Sequence, residues 1–415
     1  MIPFKVGRYG RVQSIPAAAA LAAVPAHAAR RAGRDHRAGP VAGPSADIVP
    51  VRRAGVRGGT GEWITMDDLT QTVPGKPSVV VLALGGTIAS AGSRQDGARV
   101  RLTGADLVAA VPQAAAVAGV TARSVAMLPS ADLTHADLIG LRSAIGEALA
   151  SGADGVVVTQ GTDTLEETAY AMDLMTGHDA PVVFTGAMRN ASLPGADGPA
   201  NLLAAIQVAA SPRARGLGVL VAFDDEIHAA RFVRKRHATA TSAFGSPLAG
   251  PIGYVSEDRV RILLRPPGRL HVPVPAGAAE RRVAVAWAAF GDDGALIETV
   301  PSLGYDGLVV AAFGAGHLPA NAVAAVESVA ARVPVVLASR TGAGEVLRAT
   351  YAFPGSESDL LGRGLIPACG LGPAHAAVLL RLLLMAGADR GDLAGYFEAA
   401  VHAHGPVSVR AGEPA

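Results

Sequence analysis

From Ser78 onward, short apolar runs alternate with longer helical patterns, and the apolar runs have no polar face. Strands of this kind are typical of a parallel sheet that helices cover on both sides. The pattern predicts strands over 79–84, 155–159, 182–185, 219–223, 283–289, 308–313 and 335–338. It predicts helices over 104–111, 137–149, 165–175, 199–209, 321–331 and 374–386. We therefore expect an α/β fold built on parallel sheet.

One segment interrupts this rhythm and predicts a domain boundary. Residues 264–280 contain four prolines, and such a composition favours an extended linker. We therefore expect an amino-terminal domain over 78–263 and a carboxyl-terminal domain over 281–405.

The first 77 residues differ in composition from everything that follows. They are rich in Ala, Arg, Gly and Pro without a periodic apolar face, which predicts a disordered basic extension. Residues 1–65 carry ten basic and three acidic residues, a net charge of +7, so the remainder carries 1 − 7 = −6. Residues 15–29 have part of the pattern of a secretory signal, but two prolines interrupt it. We expect a cytoplasmic protein, with secretion as the alternative.

Composition narrows the class of protein further. Half of the residues are apolar and 17% are charged, which suits a compact α/β enzyme. The acidic body gives no support for nucleic-acid binding, and no run reaches the roughly 18 apolar residues of a membrane span. The single cysteine, Cys369, cannot form an internal disulfide, and we expect it to be a packed small residue.

Two threonine-containing motifs follow predicted strands. Residues 85–89 read Gly-Gly-Thr-Ile-Ala, and residues 159–169 read Thr-Gln-Gly-Thr-Asp-Thr-Leu-Glu-Glu-Thr-Ala. The carboxyl ends of parallel strands are where open α/β sheets place their chemistry. Thr87 and Thr162, the second followed directly by Asp163, therefore indicate nucleophilic attack by a threonine. A plain tight turn is the alternative interpretation of the first motif.

The second motif also predicts a helix start. Thr164 and Glu167 have the spacing of a capping box ahead of the helix at 165–175. Thr162 and Asp163 then lie in the turn before the helix, where free backbone N–H groups favour a carboxylate or an oxyanion. The alternative is that Asp163 only caps the helix.

Two further segments carry polar or charged residues that are candidates for loop contacts or for a functional site. Residues 185–189 read Thr-Gly-Ala-Met-Arg, and in the following Asp-Gly-Pro-Ala-Asn-Leu we expect Asp197 to cap a helix and Asn201 to bond to a neighbouring loop. Residues 231–235 read Arg-Phe-Val-Arg-Lys, and taken alone such a run favours a solvated face.

In combination, these four segments resemble the bacterial-type L-asparaginase family, which includes asparaginase–glutaminases, from residue 78 to about residue 400. The resemblance implies a larger amino-terminal flavodoxin-like, Rossmann-like domain with a parallel sheet and a smaller carboxyl-terminal α/β domain. It implies hydrolysis of L-asparagine to L-aspartate and ammonia through a threonine acyl-enzyme, with some L-glutamine hydrolysis. It also implies a homodimer or homotetramer that needs no cofactor and no metal.

The resemblance assigns roles to individual residues. Thr87 matches the nucleophile, and Thr162, Asp163 and Lys235 match the second threonine with its acidic and basic partners; Lys235 precedes Phe244 by nine residues, as in the family. The remaining matches are substrate-binding residues: Ser130 for the α-carboxylate, Asp163 for the α-ammonium group, and His317 and Glu357 as candidates that a neighbouring subunit contributes.

The sequence departs from the family pattern at some positions. The loop after the first motif contains no tyrosine, and Gln160 stands where the family often has histidine. One alternative is the asparaginase-like subunit of a tRNA-dependent amidotransferase, but the first 77 residues have the wrong composition for its added domain. The other is a binding protein: a catalytically weak amino-acid-binding homologue, or a nucleotide-binding module, against which the missing dinucleotide glycine pattern argues.

Overall fold

The computed structural model describes residues 69–71, 75–92 and 99–409 of the 415-residue chain, all within one compact unit. Residues 69–71, which were assigned from sequence to the basic extension, form a strand of the main sheet. The rest of that extension before residue 75, including the segment considered as a secretory signal, lies outside the described residues.

The amino-terminal part contains most of the strands. They are β1 (Leu69–Gln71), β2 (Ser78–Gly85), β3 (Ser90–Ala91), β4 (Arg99–Val100), β5 (Gly119–Leu128), β6 (Gly155–Thr159), β7 (Val182–Thr185), β8 (Val219–Phe223), β9 (Glu226–Ala229), β10 (Arg234–Lys235), β11 (Phe244–Gly245), β12 (Gly253–Ser256) and β13 (Arg259–Ile262). The helices of this part are α1 (Gly104–Ala109), α2 (Ala114–Val117), α3 (His135–Ala150), α4 (Leu165–Met175) and α5 (Gly198–Ala209).

The main sheet has nine strands in the order β1-β5-β2-β6-β7-β8-β9-β12-β13. The five neighbouring strands β5, β2, β6, β7 and β8 are parallel, and antiparallel strands extend the sheet at both ends. Numbered along the chain, the parallel strands have the order 2-1-3-4-5, which is the flavodoxin-like order. The expected fold of the larger domain is thereby confirmed, and its topological switch point lies between β2 and β6.

Burial explains why these runs form a covered sheet. Every residue of β6, β7 and β8 is buried, as both faces of such strands must be. In β2, Val79 and Val81 enter one hydrophobic cluster with α1 and α5, while Leu82 and Leu84 enter another with α3 and α4. The strand therefore alternates between two cores with a period of two.

The carboxyl-terminal part is a smaller α/β domain, as expected. Its strands are β14 (Arg269–His271), β15 (Val283–Trp287), β16 (Gly307–Ala312), β17 (Val335–Ser339), β18 (Ile366–Pro367) and β19 (Pro406–Ser408). Its helices are α6 (Ala295–Thr299), α7 (Val323–Ala330), α8 (Glu357–Gly362), α9 (Pro373–Met385) and α10 (Leu393–His402). The strands β15 to β18 form a parallel sheet in that order, and β14 pairs in parallel with β19.

The segment 264–280 is extended but packed. It contains β14, and Leu270, Val272 and Val274 are buried in the cluster that also holds α4 and α9. The N–H of Val272 donates a hydrogen bond to the carbonyl of Leu174 in α4. This segment therefore helps to form the core between the two sheets instead of acting as a free spacer.

Two smaller observations bear on the sequence-based expectations. Cys369 is buried as expected, and burial raises the pKa of its thiol to about 12. In the part of the chain that the structure describes, none of the helices combines the length and apolar character that a membrane crossing requires.

Candidate active site

The two threonine motifs leave neighbouring strands at the same edge of the sheet. β2 and β6 are parallel, and Ala83 pairs with Thr159. The chain leaves β2 into a 3-10 turn that begins at the half-buried Thr87, and it leaves β6 into the loop that carries Thr162. Both hydroxyl-bearing residues therefore follow the carboxyl ends of the strands that flank the switch point, where ligands bind in folds of this class.

The loops after β2 and β6 touch through backbone atoms. Gly86 has a φ of 82°, and a Cβ built there would lie 2.1 Å from both the Cα and the N of Gly161. A Cβ on Gly161 would in turn lie 2.7 Å from the Oγ of Ser130. Such distances exclude any side chain, so glycine at both positions is what allows the loops carrying Thr87 and Thr162 to approach each other.

The variant Gly86→Ala is expected to lower thermal stability more than a positive φ alone would. A non-glycine residue at positive φ costs about 1–2 kcal/mol, and the collision with Gly161 adds to that. Gly152→Ala is the matched control, because Gly152 has a φ of 96° and open space within 4 Å of a built Cβ. Thermal denaturation of both variants measures the difference; an equal fall in Tm would show that the loop contact contributes nothing.

Lys235 joins the second motif from a distant part of the chain. Its Nζ donates hydrogen bonds to Thr162 Oγ1 at 2.9 Å and to Asp163 Oδ1 at 2.6 Å. The lysine side chain is 17% exposed and the aspartate side chain 70% exposed. An ion pair with such an exposed partner contributes only about 0–1 kcal/mol to stability. Its significance is that it fixes an ammonium group against a buried hydroxyl.

The basic run 231–235 is not a solvated face, so that interpretation was wrong. Arg231 is 6% exposed, and its guanidinium donates a hydrogen bond to the carbonyl of Gly268. Val233 is fully buried, and Arg234 donates to the carbonyl of Gly370 at 3.4 Å. The arginines contact backbone carbonyls beyond the amino-terminal domain, and this anchors the strand on which Lys235 lies.

Ser130 is buried in a 3-10 turn after β5 and is tied to the loop before α4. Its Oγ accepts a hydrogen bond from the N–H of Asp163 at 3.2 Å, and its carbonyl accepts one from Thr164 Oγ1 at 2.8 Å. The structure therefore brings four of the sequence-predicted residues into one hydrogen-bonded group: Ser130, Thr162, Asp163 and Lys235.

The prediction of a capping box at Thr164 is wrong, because the predicted side-chain hydrogen bond does not form. Thr164 occupies the N-cap position of α4 but makes no capping hydrogen bond with its side chain. Its hydroxyl instead donates to Ser130 and accepts from Gln160 Nε2 at 3.2 Å. Gln160 and Thr164 thus connect the loop before α4 to the turn that contains Ser130. The sequence analysis did not predict this role, and its only indication was their position inside the motif.

The third segment holds the loop after β7. Asp197 occupies the N-cap position of α5, yet its carboxylate does not cap that helix and accepts from the N–H groups of Met188 and Arg189. Asn201 donates to the carbonyl of Gly186 at 3.0 Å and accepts from the N–H of Asp224 at 3.1 Å. The expectation of a loop contact for Asn201 is confirmed, whereas that of a side-chain cap for Asp197 is wrong.

His317 and Glu357 form a separate pair in the carboxyl-terminal domain. Their side chains are 3.1 Å apart, and Glu357 is fully buried. Burial alone would raise the pKa of Glu357, but hydrogen bonds from the backbone N–H groups of Tyr351 and Thr350 and from His317 hold it below its usual value. Among the described residues, no hydrogen bond joins this pair to Thr162, Asp163 or Lys235.

Within residues 69–71, 75–92 and 99–409, no three or more His, Cys, Asp or Glu side chains lie together in a group that could hold a metal ion.

The architecture defines an α/β enzyme with polar side chains at the switch point of its larger sheet. The family model described as the asparaginase amino-terminal domain matches residues 78–267, and the glutaminase/asparaginase carboxyl-terminal domain model matches residues 282–397. The chain therefore belongs to the asparaginase family of amidohydrolases, and the resemblance drawn from its motifs is confirmed.

Individual relatives agree with this assignment. A probable L-asparaginase of Deinococcus radiodurans is 42% identical over 280 residues, which cover 65% of this chain and 83% of the relative. A probable periplasmic L-asparaginase of Haemophilus influenzae is 33% identical over 330 residues, 78% of this chain and 93% of the relative. The crystal structure of a probable cytoplasmic L-asparaginase from Campylobacter jejuni has a TM-score of 0.72 at 32% identity and covers 78% of this chain and 99% of that one.

Proposed function

We propose that this protein hydrolyses L-asparagine to L-aspartate and ammonia. The observation that carries the proposal is the contact of one ammonium group, that of Lys235, with both Thr162 and Asp163 at the switch point. Membership of the asparaginase family and the similarity to the probable L-asparaginases of Deinococcus radiodurans and Campylobacter jejuni support the same reaction.

In the proposed reaction, the hydroxyl of Thr87 attacks the carbonyl carbon of the substrate's side-chain amide. Lys235 takes part as the neutral amine: together with Thr162 it accepts the proton that the attacking hydroxyl loses, and it then passes this proton to the leaving nitrogen. Ammonia departs and leaves an ester between Thr87 and the aspartyl group. Water then attacks this ester, which releases L-aspartate and returns the hydroxyl of Thr87 to its starting state.

The proposed substrate anchors follow from the positions of Ser130 and Asp163. The exposed carboxylate of Asp163 is suited to the α-ammonium group, and the hydroxyl of Ser130 to the α-carboxylate. Ser130 lies in the turn after β5 and accepts the N–H of Asp163 just before α4, so the two proposed anchors are adjacent and set how far a side-chain amide can extend toward Thr87. L-Glutamine is longer by one methylene and should fit this spacing less well.

His317 and Glu357 support a proposal about assembly. Among the described residues they bond to each other and not to the Lys235 group. From the family resemblance, we propose that they complete the active site of a second copy of the chain in a homodimer or homotetramer. The cytoplasmic location stays a prediction, because the names of the relatives include both cytoplasmic and periplasmic L-asparaginases.

Product analysis tests the proposed reaction. Incubation with L-asparagine is expected to yield ammonia and L-aspartate in equal amounts, without added metal or cofactor. A single methylene changes specificity by about 10–200-fold, so kcat/KM for L-asparagine should exceed that for L-glutamine by about that factor. Binding of L-asparagine without ammonia release would refute hydrolysis and favour an amino-acid-binding homologue.

A further inference from the structure

Glu166 lies in the first turn of α4, within the second threonine motif, and has no part in the reaction described above. Its side chain is half-buried and points toward β10, where Oε2 accepts the backbone N–H of Lys235. It therefore contacts the residue that carries the catalytic ammonium group, but at the backbone and not at the side chain.

We propose that Glu166 is a positioning residue for Lys235. By accepting the backbone N–H of Lys235, Glu166 fixes the main chain from which the lysine side chain extends and so sets the location of its amino group. This inference rests on the proposed function, in which Lys235 accepts the proton of the nucleophile. Glu166 itself touches neither the substrate nor the reacting hydroxyls.

The contacts of Lys235 show why such a fixed point matters. β10 consists of Arg234 and Lys235 alone, and it pairs with the equally short β11. The N–H of Lys235 is directed at Glu166, while its Nζ is directed at Thr162 and Asp163. One short stretch of chain around the start of α4 thus holds both ends of the lysine. Without the hydrogen bond from the Lys235 N–H to Glu166, the main chain would be held less firmly, and the flexible four-carbon side chain would place its amino group less accurately.

The charge around Glu166 fits an acceptor role. Burial, and to a smaller extent the charge of Glu167, raises the pKa of Glu166, while the N–H of Lys235, the guanidinium of Arg234 and the charge of Lys235 act to lower it. Arg234 reaches the carbonyl of Gly370 and so connects this group to the start of the segment before α9. A carboxylate enclosed in this way is a defined acceptor with few alternative positions.

The next residue on the helix provides a matched comparison. Glu167 is also half-buried, and burial raises its pKa too, but the charge that opposes this rise belongs to Arg381 of α9. Loss of either carboxylate removes one partly buried charge from the same helical turn. Only Glu166 contacts the main chain of Lys235.

The test compares Glu166→Ala, Glu166→Gln and Glu167→Ala in the full-length protein. A displacement of a catalytic group by about 1 Å can cost about 10²-fold in rate, and we expect Glu166→Ala to lower kcat for L-asparagine by about 10–100-fold. KM should stay within about threefold, because the proposed substrate anchors are untouched. Glu166→Gln keeps an acceptor oxygen and should recover most of kcat, and Glu167→Ala should keep a kcat close to that of the wild type.

A second measurement does not depend on activity. The chain contains only three lysines, namely Lys5, Lys76 and Lys235. The rate of acetylation of Lys235 relative to Lys76, read from peptide masses, should rise in Glu166→Ala and stay unchanged in Glu167→Ala. Because both lysines are acetylated in the same sample, the ratio of their rates does not depend on the concentration of reagent or protein.

The possible outcomes separate this inference from the proposed function. If the wild-type protein releases no ammonia, the proposed function fails whatever the acetylation rates are. If the wild type is active and Glu166→Ala keeps its kcat and its acetylation ratio, the role of Glu166 is refuted alone. Equal losses of kcat in Glu166→Ala and Glu167→Ala would also refute it, since a general loss of helix stability would then account for both.

Discussion

The variant Lys235→Met is expected to lower kcat for L-asparagine by about 10²–10⁴-fold, which is the usual contribution of a positioned acid–base group. Methionine keeps an unbranched side chain of similar length but removes the ammonium group that bonds to Thr162 and Asp163. Because that ion pair is largely exposed at Asp163, its loss should change Tm by little. Steady-state ammonia release, measured beside thermal denaturation, separates the two effects.

Lys76→Met serves as the matched control for this loss. Lys76 is exposed on the loop before β2 and donates a hydrogen bond to the carbonyl of Ala115 in α2. The control should keep the wild-type kcat. Lys235→Arg keeps a positive charge but cannot release a proton near neutral pH, so it should be nearly as inactive as Lys235→Met. Full activity of Lys235→Arg would show that the charge alone matters and that the proposed proton transfer is wrong.

The sequence predicted best where strands are wholly buried. The bounds of β6, β7 and β8 agree with those predicted, because every residue in them faces a core and the apolar run ends where burial ends. The helix α4 also agrees at both ends. In these elements the same physical cause, removal of apolar surface from water, sets both the sequence pattern and the structure.

The sequence did not predict the strands that are partly exposed or short, because they lack a continuous apolar run. β5 is the outermost of the parallel strands, between β2 and the antiparallel β1. It includes Thr121, Arg123 and Ser124 and is exposed toward its end, so its apolar pattern does not stand out. The antiparallel strands β9, β12 and β13 are only four residues long. Their order in the sheet depends on pairing over long distances along the chain, which the local apolar pattern does not encode.

The turns beside these antiparallel strands are also unusual. Asp224 and Asp225 between β8 and β9 have φ of 51° and 62°, and Glu257 and Asp258 between β12 and β13 have φ of 50° and 60°. Two-residue hairpins with positive φ at both positions generally use Asn-Gly or Asp-Gly. Paired carboxylates in these positions give no such signal, so neither hairpin could be predicted from its turn.

The residues of the candidate site that lie within one sequence motif could be predicted, whereas contacts between residues distant along the chain could not. The motifs identified Thr162 and Asp163, but Lys235 lies 73 and 72 residues away from them, and the basic run around it suggested solvent exposure. The spacing of Thr164 and Glu167 predicted a capping box, yet the Thr164 hydroxyl bonds to Ser130, a residue brought near by β5. A local propensity gave way to a tertiary contact in both cases.

Replacing Thr87 with alanine is expected to give the largest loss of all. Thr87 is the proposed nucleophile, and loss of the nucleophile from an enzyme with a covalent mechanism reduces turnover by about 10⁴-fold or more. Thr87→Ser, which keeps a hydroxyl, should retain far more activity than Thr87→Ala. Thr299→Ala is the matched control, because Thr299 is an exposed threonine of α6 in the other domain and should leave kcat unchanged.

The variant Thr87→Ala should still bind the amino acid, because the contacts that hold Ser130 and Asp163 do not involve Thr87. A ligand at 100 times its Kd stabilises the folded state by about 2.7 kcal/mol, so L-aspartate should raise the Tm of Thr87→Ala about as much as that of the wild type. Loss of turnover with retained stabilisation would separate attack from binding. Turnover by Thr87→Ala within about tenfold of the wild type would instead assign the attack to another hydroxyl, and Thr162 would then be the residue to replace.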